Sequence, residues 1–170
     1  MACCLLVTVG RAEAAGFELT TARVTIRYDH EFLLRDFQAR LSASEKSFFM
    51  RRKKTGLTVS DEISAAVDGL LEQVQTILEM FPPDLRLTIV LLPSANGVRE
   101  VYGRKYHREV DYIAFYAPRD KTIYLSVRDA SLRVLGHEMA HAVVEHHFIV
   151  PPPTKVHELL AQYVEAQLID

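Results

Sequence analysis

An α+β fold is predicted by three features of the chain: short β-rich runs near its start and middle, one long amphipathic helix between them, and two helical segments at its end. Residues 24–28 alternate and are β-branched, so they are read as a strand, and 31–41 follows with helical spacing through Leu33, Leu34, Phe37 and Leu41. Segment 42–60 is irregular. There Phe48-Phe49-Met50 leads into Arg51-Arg52-Lys53-Lys54 and Thr55-Gly56, the composition of an exposed connection whose charges are solvated. From Asp61 onward Ile63, Val67, Leu70, Leu71, Val74, Ile77 and Leu78 recur at helical spacing, with Ser60 or Asp61 as N-cap and Pro82-Pro83 as the stop. The apolar run 85–92, ended by Pro93, suits an interior strand covered on both faces. Strands at 112–116 and 122–127 flank the turn residues Pro118-Arg119-Asp120-Lys121, the pattern of a hairpin. A helix capped by Asp129 or Ser131 then carries Leu132, Leu135, His137, Met139, Ala140, His141, Val143 and Val144 until Pro151-Pro152-Pro153 ends it, and a last helix is expected over 155–168.

The bulk properties narrow the function classes. A chain of 170 residues suits one domain with a full core, here residues 17–170. Twenty Lys and Arg against 22 Asp and Glu leave a net charge of −2, which supplies no field for nucleic acid or an anionic membrane. Residues 1–16 stand apart: the apolar run from Ala2 to Val9 precedes Ala12-Glu13-Ala14, a small-x-small signal-peptidase pattern, although no Lys or Arg precedes it. Export to the periplasm or the extracellular space is the expectation. No stable membrane span is expected, because the apolar run falls far short of the roughly 20 residues a bilayer requires. Both cysteines, Cys3 and Cys4, lie in this segment, so a metal site in the mature chain would be built from His and carboxylate.

His137-Glu138-Met139-Ala140-His141 has the H-E-x-x-H spacing. Four residues advance a helix by about 400°, so both imidazoles project from one face about 40° apart and reach a single ion. Glu138, rotated by about 100° from His137, falls beside that ion, placed to take a proton from bound water without being a ligand. The competing reading makes both histidines ordinary residues of a metal-free α/β interaction domain. A third ligand is needed. His147 stands at the third-histidine position of the metzincin pattern, but Val144 replaces the glycine that would let the chain leave the helix, and no Met follows His141. A continued helix carries His147 about 9 Å along the axis from His141 and away from the site. Glu158 opens the last helix after a proline-enforced turn, Glu165 lies two turns further on nearly the same face, and Gln162 is placed to orient a ligand histidine or to be plain surface.

Together with H-E-x-x-H, the run Glu158-Leu159-Leu160-Ala161-Gln162-Tyr163 resembles the glutamate helix of the gluzincins, the thermolysin-like zinc peptidases, and of their small bacterial members especially, with Leu159 where glycine is common. Ala114-Phe115-Tyr116-Ala117-Pro118 and Thr122-Ile123-Tyr124-Leu125 are similar to the hairpin before the metal helix in that family. The resemblance covers about the last third of the chain. It implies a zincin-like fold, a small mixed sheet packed on a backing helix at 61–81 and on the metal helix, with the cleft between them. It also implies Zn2+ held by His137, His141 and Glu158, Glu138 as general base, and hydrolysis of a peptide or protein substrate whose extended chain meets the main chain of Ala114 and Phe115. The alternative is a zincin-like zinc-binding or scaffold module without peptidase activity. Tyr106, His107, Tyr116, Tyr124 and Tyr163 remain open as oxyanion donors, while His30, His107 and His157 have no spacing that recruits them as ligands.

Overall fold

The computed structural model describes residues 16–44 and 58–168; residues 1–15 of the segment expected to direct export, with both cysteines, and the basic run at 51–54 lie outside the described residues. β1 (Phe17–Thr20) pairs antiparallel with β2 (Val24–Tyr28), followed by α1 (Glu31–Ser44), α2 (Val59–Leu78), β3 (Leu87–Leu92) and α3 (Ala95–Tyr106). β4 (Ala114–Ala117) and β5 (Thr122–Ser126) form the expected hairpin, and α4 (Leu132–His147) and α5 (Thr154–Gln167) complete the chain. The strands make one mixed sheet in the order β1-β2-β3-β5-β4, with parallel pairs β2/β3 and β3/β5 and antiparallel pairs at both margins. The class is α+β, as predicted.

Phe37 of α1 and Val67, Leu70 and Val74 of α2 share one buried cluster with Ile26, Ile89 and Leu125 of the sheet and Leu135 and Met139 of α4. α3 covers part of the opposite face, where Val98 packs with Phe115 and Ala117. β3 is interior in the sheet, but its burial alternates: Leu87, Ile89 and Leu91 are buried, while Thr88, Val90 and Leu92 are partly open. The expected cover on both faces is complete on one face and partial on the other, because the α3 layer spans only part of the sheet.

The cap of α2 is Thr58 rather than Ser60 or Asp61. The Thr58 hydroxyl accepts the Asp61 N–H at 3.2 Å and the Asp61 carboxylate accepts the Thr58 N–H at 3.0 Å, a reciprocal box that satisfies two orphan donors. The helix stops before Pro82-Pro83: Glu79 turns left-handed (φ 53°) and returns its N–H to the carbonyls of Gln75 and Thr76. α3 was not foreseen. Val98 is its one buried residue and two glycines interrupt it, so it lacks the apolar stripe that betrays a surface helix. α4 ends at His147, with Phe148 already extended, before the prolines that were expected to stop it. Nor does the cleft open between α2 and α4, whose facing side chains are packed together in the core. It lies instead between β4, α4 and α5. Among the described residues no helix is long and apolar enough to cross a membrane.

Candidate metal centre

Ser131 starts α4 by accepting the Val134 N–H at 3.1 Å, which fixes the rotation of the helix from its first turn. Met139, Ala140, Ala142, Val143 and Val144 are buried in the core, so His137 and His141 are left facing the cleft. Pro151-Pro152-Pro153 forms an irregular turn, after which α5 runs back along α4: Glu158 reaches His141, Glu165 reaches His137, and Leu168 lies over Gly136. A Cβ on Gly136 would stand 2.3 Å from Leu168 Cδ1, so the Leu168 side chain packs directly on the helix backbone at the residue before the first histidine.

The ligand atoms converge. His137 Nε2 and His141 Nε2 are 3.2 Å apart, and the Glu158 carboxylate lies 3.7 Å from the first and 3.6 Å from the second. Two ligands at about 2.0–2.1 Å from a tetrahedral ion are separated by about 3.3 Å; the two nitrogens stand close to that spacing, and the Glu158 carboxylate turns Oε2 to His137 and Oε1 to His141, a His-His-carboxylate donor set that suits zinc. Burial, reinforced by the neighbouring His137 and His157, pulls the His141 pKa down to about 4, so its ring is neutral and able to ligate at any ordinary pH.

His137 is oriented from behind. Its Nδ1 meets Glu165 Oε2 at 3.2 Å, and Arg133, one turn earlier on α4, holds the other Glu165 oxygen at 2.6 Å. With Nδ1 donating to that carboxylate, Nε2 is presented to the metal position, the usual carboxylate-histidine arrangement. Glu165, weighed from the sequence as a rival ligand, thus sits against the far nitrogen of His137. Gln162, considered there for the orienting role, is exposed. Arg133, at i−4 from His137, was the signal that was missed.

Glu138 is buried at 8 % exposure with its carboxyl inside the cleft lining. Burial raises its pKa to about 8, opposed by a hydrogen bond from the Tyr116 backbone N–H and helped by the charge of Glu158. That hydrogen bond also reveals how β4 is presented. Ser126 N–H bonds the Ile113 carbonyl at 2.9 Å and Phe115 lies opposite Tyr124, so by antiparallel alternation Ile113 and Phe115 spend their main-chain groups on β5. Ala114 and Tyr116 aim theirs at the free edge. Of the two residues expected to meet a substrate backbone, Ala114 is the one facing outward, and Phe115 contributes its ring to the cleft lining.

The cleft has a volume of about 620 Å³ and holds His137, His141, Glu158, Glu138, Ala114 and Phe115 together in one lining. His147 is turned away against Phe148, and His146 meets the Tyr116 hydroxyl at 2.7 Å. Of the oxyanion candidates only Tyr116 lines the cleft; Tyr106, His107, Tyr124 and Tyr163 do not. His157, set aside from the sequence, does: its ring stacks on His141 at 6.0 Å, and its Nε2 is 3.6 Å from Glu145. No spacing rule pointed to it, because its place follows from where the proline turn starts α5. No family model, curated protein or solved structure matches the chain.

Proposed function

We propose that this protein is a zinc-dependent metallopeptidase of zincin-like fold, with His137, His141 and Glu158 as ligands and Glu138 as general base. The observation that carries the reading is the convergence of three ligand atoms, all within 4.8 Å of one another, beside a buried carboxyl that is not one of them. Zinc supplies a Lewis acid for the scissile carbonyl and acidifies water. The chain's own residues do the rest. The Tyr116 N–H holds the Glu138 carboxyl in place, so that its other oxygen takes a proton from the attacking water and returns it to the leaving nitrogen. Ala114, two residues away on the free edge of β4, offers a main-chain donor and acceptor to an extended peptide, in the strand-addition mode. The dry setting of Glu138 suits this exchange, since a carboxyl whose proton affinity lies near neutrality both accepts and donates.

The test is zinc content by elemental analysis together with cleavage of an unfolded protein followed by mass spectrometry. Wild type is expected to hold about one zinc per chain and to cleave. Glu138→Gln should keep the zinc and lose at least about 100-fold in rate, while Glu158→Ala should lose the zinc. Zinc-replete wild type without bound metal, or a Glu138→Gln variant that cleaves as fast, sinks the proposal.

A further inference from the structure

Beyond Ala114 the cleft changes character. Its far wall is made by Tyr102, Tyr112, Ile113 and Phe115, contributed by α3, the loop before β4, and β4 itself. Tyr102 is the centre of this wall: Tyr112 meets it edge-on at 5.2 Å, Phe115 edge-on at 5.0 Å, and Tyr106 at 4.6 Å. Tyr112 and Ile113 are nevertheless 45 % and 38 % exposed, so apolar surface remains open at the mouth of the cleft. No Lys or Arg lines the cleft, so its side chains offer an acidic substrate segment no cationic partner.

Sheet geometry says which substrate groups this wall would meet. Side chains along β4 alternate, with Ala114 and Tyr116 in the main core and Phe115 and Ala117 on the α3 face. A peptide added to the free edge continues both faces, so every second side chain falls beside Phe115 and Tyr102. Glu138 acts at Tyr116, and Ala114 is about 7 Å further along the strand at about 3.4 Å per residue, so the first such side chain lies within about two residues of the scissile bond. We infer that this wall is a specificity site, and that the substrates are peptides carrying an aromatic or large aliphatic side chain within two residues of the cleaved bond, received by Tyr102 and Tyr112. The inference rests on the peptidase reading.

The experiment uses a set of peptides with Phe, Leu, Ala, Lys or Glu fixed at each position in turn. Cleavage by zinc-loaded wild type is measured, and binding to zinc-loaded Glu138→Gln is measured in parallel by fluorescence anisotropy. At one position Phe or Leu is expected to exceed Ala by at least about ten-fold in kcat/KM and in affinity, with Glu the poorest. In Tyr102→Ala and in Tyr112→Ala, each checked for zinc content and circular dichroism, the ratio of Phe to Ala should fall to about two-fold or less. Tyr112, being the more exposed, gives the variant that keeps the test open if Tyr102→Ala misfolds. Cleavage without that preference, or a preference unchanged in both foldable variants, overturns the inference and leaves the peptidase reading standing. Selective binding without any cleavage refutes the peptidase reading instead and supports the aromatic site. Neither cleavage nor selective binding overturns both.

Discussion

Glu138 and His141 face one cleft with their proton affinities displaced by the same burial, the carboxyl upward to about 8 and the imidazole downward to about 4. Their consequences for the metal-free protein differ in sign. Between pH 4.5 and 8 the folded chain holds a proton on Glu138 that the unfolded chain has released, so stability falls as pH rises through that window. Between pH 4 and 6.5 the unfolded chain binds a proton at His141 that the folded chain refuses, so this second contribution grows with pH. The two oppose each other at acid pH, and from 6.5 to 8 only the Glu138 effect remains. Thermal melts of zinc-stripped protein should therefore show wild type losing stability from pH 6.5 to 8, with Glu138→Gln insensitive to that interval; a flat wild type refutes the assignment. At His137, Glu165→Gln removes the orienting charge and is expected to weaken zinc binding by about 10–100-fold in chelator competition, while Gln162→Ala leaves it unchanged. That His137 and His141 share one face was legible at this scale because 3.6-residue periodicity converts spacing directly into direction, whereas Glu158 on the next helix was reached through the family resemblance. The supports of the triad were not: the Arg133–Glu165 pair and His157 depend on how two helices are set against each other, which the spacing along either one does not encode.

Among the elements, those with a strong stripe were readable and those without were not. α2 and α4 carry apolar residues on one face for their full length, and both were expected; α3, which buries Val98 alone, was missed. Caps proved subtler than stripes. The sequence offered Ser60 and Asp61 as caps of this helix, and the reciprocal bonds between Thr58 and Asp61 place the cap at Thr58 instead. Thr58→Ala is expected to cost about 0.5–2 kcal/mol of stability in urea unfolding, and Ser60→Ala, which removes no cap, less than about 0.5 kcal/mol. In β3, Ile89 is fully buried at the centre of the sheet, so Ile89→Ala should cost about 2–5 kcal/mol, whereas the partly open Val90 should cost less.

At the scale of the molecule, a metal at the proposed position would join two helices that are otherwise held by packing and by the contacts of Glu165 with Arg133 and His137 and of His157 with Glu145. α4 brings the histidines and α5 brings Glu158, so zinc would tie the end of the chain to the core. Free zinc at about 100 times its dissociation constant should raise the stability of wild type by about 2.7 kcal/mol, read as a rise in melting temperature reversed by chelator, with no such rise in Glu158→Ala. The sheet itself ends at β4, a strand of four residues whose outer margin lies open beside the cleft. An open margin is also a template on which other chains assemble, and here one of its outward donors, the Tyr116 N–H, is already occupied by the Glu138 carboxyl. The hydrogen bond that holds the Glu138 carboxyl therefore also takes one donor away from edge-to-edge pairing. Losing the side chain in Glu138→Ala should speed aggregation in light scattering relative to Glu138→Gln, which leaves an oxygen to accept that N–H; colloidal behaviour and chemistry would then share a single proton donor.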